Sequence, residues 1–319
     1  LLVFIFDFTS FGVILILGGP KFATIEVEIY YQTISLFNLP LAAVLSIIQL
    51  LCTLGLTIIY TQLVARFTRP LSHKSRHSTQ RPLFTWRSRI FASVIILTML
   101  LFFTLPLVSL AARSVTRLEP DRGQREMSSE RFTLEFYEEL SVNRRGSYFY
   151  VTPLRAIGTS LGYALATVGI TLALGIPASL ALSRKVNSKT NRFIDPIIML
   201  PLGTSAVTLG LGFIVALNKP PLDLRTSPLL IPIAHSLVAF PFVVRSLSPS
   251  LRSIQPRLRE SAAMLGASPG RVIRTIDLPL IGRALLVATI FAFTLSLGEF
   301  GATALISRPE YPTIPLMIY

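Results

Sequence analysis

The sequence predicts an all-α integral membrane protein, a polytopic bundle of transmembrane helices. Of its 319 residues, 51% are hydrophobic and only 14% are charged, and the mean hydropathy is +0.63. A typical soluble domain carries about 25% charged residues. The apolar residues also fall into separate runs of the length that crosses a bilayer, about 20 residues. These observations exclude an ordinary soluble domain.

The apolar runs predict six complete spans and one partial span. The partial span is residues 1–17, and the complete spans are 41–65, 90–112, 156–183, 193–217, 228–244 and 284–306. Residues 18–40 are expected to form an external connection with room for a short helix, and the mixed-charge segment 113–155 has room for helix outside the bilayer. Because the first and last residues lie inside such elements, we expect a fragment cut at both ends.

Basic residues predict the orientation. The segments 66–89, 184–192 and 245–283 together hold 18 Lys or Arg residues and two acids, Glu260 and Asp277. Cytoplasmic loops of membrane proteins are enriched in Lys and Arg, so these segments are predicted on the cytoplasmic side of a cell (inner) membrane. The net charge of +14 then reflects topology and contact with anionic lipid, and no nucleic-acid partner is predicted.

The longest polar interruption of the C-terminal half is residues 257–279, which read RLRESAAMLGASPGRVIRTIDLP. Pro256 suits a first helical turn and Gly266 suits a C-terminal cap, so a first short helix is predicted between them. Ser268 and Pro269 suit the start of a second short helix, which is expected to end before Pro279.

The first of these helices and its cap contain both small and charged residues. Small side chains let another protein surface approach the backbone closely, and the charged side chains lie beside them. The small residues are Ser261, Ala262, Ala263 and Gly266, and the charged ones are Arg257, Arg259 and Glu260. The pattern indicates a docking surface.

At these positions the sequence resembles a known family. The matching residues are Glu260, Ala262, Gly266, Ile276, Leu278 and Pro279, and in type and spacing they resemble the EAA loop of the permease subunits of type I ABC importers. Ser261 departs from the alanine that is usual there. The resemblance implies that a docking loop, residues 248–283, binds a cytoplasmic ABC ATPase subunit, expected as a homodimer, and that an extracytoplasmic substrate-binding protein delivers the solute.

No motif for chemistry accompanies this loop. The sequence has no G-x-x-x-x-G-K-[ST], H-E-x-x-H or G-x-S-x-G, so no enzymatic activity, cofactor or metal site is predicted and ATP hydrolysis is assigned to a separate subunit. Two other classes are alternatives: an ion-coupled secondary transporter, which also has spans and repeats, and a membrane enzyme, which would need clustered His, Asp or Ser at one membrane face.

An internal repeat predicts the domain organisation. At a fixed offset of 289 residues, identities include Phe11 with Phe300, Gly12 with Gly301, Pro20 with Pro309 and Tyr30 with Tyr319. The repeat is parallel, whereas those of secondary transporters are often inverted. It predicts the end of a first permease unit at residues 1–65, a basic linker at 66–89 and a second unit at 90–319.

The solute class follows from resemblance alone. Tandem units joined by a basic linker resemble the iron(III) and thiamine branch of type I importers. The C-terminal GEFGAT and TIPLMIY also resemble molybdate and sulfate permeases, whose chains carry a single unit. We expect iron(III) or thiamine, with a molybdate- or sulfate-type permease as the alternative.

Polar groups inside the predicted spans are the remaining candidates. Glu299 is costly there without a wet cavity or a partner, so it lines the transport pathway or bonds a neighbouring helix near the outer interface. His235 has no companion His or Cys in its span and is predicted to hydrogen-bond between helices. The glycines Gly203, Gly210 and Gly212, with Ser205 and Thr208, are predicted to allow close helix packing, with a helix break near the pathway as the alternative.

Overall fold

The computed structural model describes residues 11–18, 22–67, 85–116, 132–142, 151–184, 194, 197–217, 224 and 227–319. These residues are predominantly helical. The helices are α1 Gly12–Leu17, α2 Ile25–Tyr30, α3 Leu39–Phe67, α4 Trp86–Ser114, α5 Glu135–Glu138, α6 Pro153–Arg184, α7 Ala206–Ala216, α8 Leu230–Ser253, α9 Pro256–Met264, α10 Pro269–Val272, α11 Leu278–Leu280, α12 Gly282–Gly298, α13 Gly301–Ile306 and α14 Ile314–Ile318. The prediction of an all-α polytopic membrane bundle is confirmed.

The chain divides into two compact units, one made of Leu1–Arg66 with Ser147–Tyr319 and the other of Phe67–Gly146. In the smaller unit, α4 is apolar along its length and has no buried residue. A helix that is apolar all round is suited to a lipid environment. The smaller unit also contains the short helix α5, the 3-10 turn Glu139–Ser141 that follows it and an isolated bridge between Thr116 and Phe132.

Helix α8 is central to the larger unit, where it packs against α6 and α12. Its buried face includes Val243, Leu247 and Leu251, which meet Ala288 and Ala292 of α12. Small residues on α12 let the two helices approach closely. This cluster extends to the base of the docking loop.

A second cluster joins the N-terminal segment to the C-terminal one. Phe11, Val27 and Ile29 of the first segment are buried together with Val207 of α7 and Phe300. The short helix foreseen within residues 18–40 is therefore present as α2, and it is buried in the core. Gly210 of α7 lies against α13, where an added Cβ would come within 3.2 Å of the Ala302 Cα, which confirms its predicted packing role.

In the part of the chain that the structure describes, four helices are long and apolar enough to cross a membrane: α3, α4, α6 and α8. The bent pair Pro269–Leu280 and α12 makes a fifth if it is counted as one span. The predicted spans 41–65, 90–112 and 156–183 are confirmed as helices. The span at 228–244 is also helical but reaches Ser253, with Pro241 and Pro249 inside α8.

The predicted span over residues 193–217 is not one continuous helix among the described residues. A 3-10 turn covers Leu200–Gly203, and Ser205 starts α7 by accepting hydrogen bonds from the N–H groups of Val207 and Thr208 at 3.2 and 3.4 Å. Helix α7 has 11 residues, about 16 Å at 1.5 Å per residue. It is too short to cross about 30 Å of hydrocarbon.

The last predicted span, 284–306, is likewise broken. Helix α12 ends at Gly298 because Glu299 adopts an extended conformation with ψ 116°, and α13 begins at Gly301. The predicted basic linker 66–89 falls largely outside the described residues, as do most of the basic segment 184–192 and the first ten residues of the partial span.

Candidate functional site

The docking loop folds as two short helical segments around a glycine, as its sequence predicts. Helix α9 begins with Pro256 in its first turn, and α10 begins after Ser268, whose Oγ accepts a hydrogen bond from the N–H of Arg271 at 3.4 Å. Because α8 continues to Ser253, the first six residues of the predicted range 248–283 belong to α8 and the exposed loop is shorter.

Gly266 makes the turn between the two segments. Its φ of +80° lies in the left-handed region that favours glycine. The N–H of Gly266 donates to the carbonyl of Ala263, and the N–H of Ala267 donates to that of Ala262, both at 3.0 Å. This pair of bonds is the Schellman arrangement that ends a helix, so the predicted cap is confirmed.

The second segment runs further than predicted. A π-helical turn, Ile273–Asp277, follows α10 and leads into α11, so the chain stays helical through Pro279. Pro279 lies in the first turn of α11. Val272 is buried, and Ile273 and Ile276 pack against the cluster beneath the loop. The segment Pro269–Leu280 makes an angle of 76° with α12.

An ion pair fixes α9 to this second segment. Nε of Arg259 donates to Oδ1 of Asp277 at 2.8 Å, and Asp277 is fully buried. Nη2 of Arg259 also donates to the carbonyl of Leu251 at 3.3 Å, near the end of α8. Arg259 therefore braces the loop from within, although its sequence position suggested a surface contact. Asp277 was not a predicted site residue.

The outer surface of the loop is mainly small and charged, with an apolar tip. Met264 and Leu265 have 90% and 89% of their surface exposed, directly before Gly266. An apolar pair within a short helix usually faces a core, so these two residues were not among the predicted site residues. Their exposure leaves two large apolar side chains facing outward at the turn.

The structure brings the predicted loop residues to one region. Those on its exposed side are Arg257, Glu260, Ser261, Ala263, Gly266 and Pro279, and those that are half-buried are Arg259, Ala262, Ile276 and Leu278. The exposed group faces outward, and the half-buried group attaches the loop to the bundle.

His235 joins helices, as predicted. It is fully buried on α8, with Nδ1 hydrogen-bonded to the Ser296 Oγ of α12 and Nε2 to the Thr303 Oγ1 of α13, each at 2.8 Å. Ser296 Oγ in turn donates to the Thr167 Oγ1 of α6 at 3.2 Å. One imidazole thus connects α8, α12 and α13, and through Ser296 also α6.

Glu299 lies at the break between α12 and α13, apart from the docking loop. Its Oε1 accepts a hydrogen bond from the N–H of Ala302 at 3.2 Å, which caps α13. The same residue borders an open groove along α12, lined by Val287, Ile290, Phe291, Thr294, Leu295 and Gly298.

A second acid, Glu26 of α2, was missed by the sequence analysis. It is buried, and its Oε1 accepts a hydrogen bond from the Gln49 Nε2 of α3 at 2.9 Å. Thr208 Oγ1 of α7 donates to Gln49 Oε1 at 3.3 Å. The only sequence signal was its place in a short apolar stretch, since its partners lie far away along the chain.

The comparison with known families agrees with this geometry. The family described as binding-protein-dependent transport system inner membrane component matches residues 145–310, more than half of the chain and including the whole docking loop. The chain belongs to this family. It is therefore a type I ABC importer permease by family and a multi-pass inner-membrane protein, and its family is one of transport permeases, not of enzymes.

Relatives of this chain include transport permeases of two kinds. The 2-aminoethylphosphonate transport system permease protein PhnV of Salmonella typhimurium is 32% identical over 148 residues, which is 46% of this chain and 56% of that protein. The thiamine transport system permease protein ThiP is 26% identical over 328 residues in Escherichia coli, or 100% of this chain and 55% of that protein. ThiP of Brucella abortus is 27% identical over 323 residues. The chain spans about half the length of these relatives.

Proposed function

We propose that this protein is the translocating subunit of an ATP-driven importer and that the docking loop binds a cytoplasmic ABC ATPase. The observation that carries the proposal is the exposed tip, Met264 and Leu265, on a loop braced from within by Arg259 and Asp277. Exposed apolar groups at a water-facing turn are suited to a protein groove. A rigid loop can also transmit movement of the ATPase to α8 and α12.

Charged and backbone contacts complete the proposed dock. Glu260 supplies a charge on the exposed side of α9, and Gly266 sets the direction in which the tip points. We assign the loop to the cytoplasmic side because its segment is basic. ATP-driven closure of a homodimeric ATPase would then move the spans between inward- and outward-facing states.

The other partners follow from the same family. An extracytoplasmic binding protein delivers the solute, and membrane lipid surrounds apolar helices such as α4. The domain organisation remains as proposed: the end of a first unit at 1–65, a basic linker at 66–89 and a second unit at 90–319. The parallel repeat at offset 289 supports two units in one polypeptide.

Thiamine is the solute that we propose. ThiP matches this chain along its entire length, whereas PhnV matches 46% of it. Iron(III), molybdate or sulfate, and 2-aminoethylphosphonate are the other outcomes of the test. Glu299 is proposed to line the pathway, since a carboxylate suits a cationic solute and this one lies at a helix break beside an open groove.

Uptake into proteoliposomes tests the proposal. The full-length protein is reconstituted with the ATPase encoded beside it and with its binding protein, and uptake of labelled thiamine is measured with unlabelled iron(III), molybdate, sulfate and 2-aminoethylphosphonate as competitors. We expect uptake that needs ATP and is unaffected by a protonophore. Uptake driven by an ion gradient without ATP would instead make the protein a secondary transporter.

A further inference from the structure

Two segments of the chain begin their short helices at the offset of the sequence repeat. Helix α1, Gly12–Leu17, and helix α13, Gly301–Ile306, have six residues each, and their bounds differ by 289 at both ends. The N-caps of α2 and α14 are Thr24 with φ −86° and ψ 169° and Thr313 with φ −96° and ψ 164°. The two segments are structural equivalents as well as similar sequences.

Aromatic rings repeat the same geometry inside each segment. The rings of Phe11 and Tyr30 have centroids 5.4 Å apart and planes at 57°. The equivalent rings of Phe300 and Tyr319 are 5.6 Å apart, also at 57°. Each segment therefore carries one tilted aromatic pair that joins its first short helix to its second.

The two equivalent phenylalanines also contact each other. Phe11 and Phe300 stack with centroids 5.4 Å apart and planes at 26°, and both are buried. A Cβ added at Gly12 would come within 3.2 Å of the Phe300 Cδ1, so the segments meet closely. Where two equivalent units are related by a two-fold axis, a residue contacts its own equivalent only beside that axis.

A polar connection accompanies this stack. Glu26 and Gln49, from the N-terminal segment, reach Thr208 of α7 through hydrogen bonds of 2.9 and 3.3 Å, and Ser205 at the start of α7 also hydrogen-bonds to Glu26. This polar connection joins the N-terminal segment to α7, which packs against α13 of the C-terminal segment. Hydrogen bonds of this kind can exchange one partner for another. Separating an apolar interface would instead expose its surface.

We propose that Phe11 and Phe300 lie on a local two-fold axis between the two permease units and form an aromatic gate that closes the solute pathway. In transporters built from repeats the solute passes at the repeat interface, and here that interface is filled by stacked rings. The rings separate when the ATPase drives the units apart, and they stack again after release. This inference rests on the proposed function.

Paired cysteines test the gate. Phe11→Cys and Phe300→Cys are combined in the full-length protein, in a background free of other cysteines and including Cys52→Ser, and are linked with a short bifunctional thiol-reactive reagent. We expect the link to abolish ATP-dependent thiamine uptake, and cleavage of a reducible linker to restore it. Trapping with ATP and vanadate is expected to lower the yield of the link.

The matched control links Phe11→Cys to Tyr30→Cys, since those rings are equally far apart but lie within one segment. That link is expected to leave uptake intact, and its yield should not change on trapping. Full uptake by the linked Phe11–Phe300 variant, or a yield unchanged by trapping, would overturn the gate. If the unlinked Phe11→Cys, Phe300→Cys variant is inactive, the change in cross-link yield on trapping alone decides whether the rings separate. Absence of ATP-dependent uptake by the unsubstituted protein would instead count against the proposed function.

Discussion

Gly266 has a backbone conformation on which the shape of the proposed docking loop depends. A leucine at its φ of +80° costs about 1–2 kcal/mol, and no neighbouring atom lies within 4 Å to clash with a Cβ. We predict that Gly266→Leu inserts normally but lowers ATP-dependent uptake by about tenfold, since 1.4 kcal/mol corresponds to a tenfold change.

The matched control is Gly270→Leu, four residues along in α10. Gly270 also has open space around it but has no positive φ. Membrane yield and uptake are measured for both variants. Equal uptake by the two would show that the turn at Gly266 has no part in coupling.

The structural roles of some docking-loop residues could be predicted from the sequence, and those of others could not. Gly266 and Ser268 were predictable because a cap needs particular local chemistry. The pairing of Arg259 with Asp277 was not, because the partners are 18 residues apart and the charge of Arg259 equally suits a surface. Glu26 was missed for the same reason, since its partner Gln49 lies on another helix.

At the scale of elements, the ion pair joins α9 to the π-helical turn. Arg259→Ala removes one partner of a fully buried carboxylate, and we expect a loss of about 2 kcal/mol in local stability, or about thirtyfold faster amide exchange in the loop. Hydrogen exchange measured by mass spectrometry checks this. Combining the change with Asp277→Asn should recover part of the loss, and additive losses in the double variant would contradict direct coupling.

The His235 network makes a separate prediction about helix packing. Thr303 and Thr289 both donate to the carbonyl four residues earlier, at 3.1 and 2.8 Å, but only Thr303 also bonds His235. Thr303→Val should therefore destabilise the bundle by about 1 kcal/mol. Thr289→Val is the control and should have a smaller effect. Thermal unfolding in detergent compares them, and equal midpoints would mean that the imidazole bond adds no stability.

Hydropathy did not predict where helices break inside two of the apolar runs. Residues 193–217 and 284–306 are apolar enough for spans, yet Ser205 and Glu299 start new helices inside them. Both side chains act through local backbone hydrogen bonds, which an average over an apolar run does not register. The long helices α3, α4 and α6 were predicted correctly because no side chain inside their apolar runs starts a new helix.

At the scale of the whole molecule, the class of protein followed from composition, and the family followed from one loop. The packing did not follow, because residues 11–30 meet residues 300–319 through contacts that span most of the chain. The sequence repeat at offset 289 indicated that these two segments are similar. Only the structure shows that they touch.

The central claim is that the docking loop binds an ABC ATPase, and copurification tests it most directly. The full-length protein is isolated with the ATPase encoded beside it, as the unsubstituted form, as Glu260→Arg and as the charge-reversal control Glu310→Arg, whose side chain is exposed elsewhere. We predict that Glu260→Arg loses most of the bound ATPase and its ATP hydrolysis while Glu310→Arg keeps both. Undiminished binding by Glu260→Arg, or no ATPase bound to the unsubstituted protein, would contradict the account.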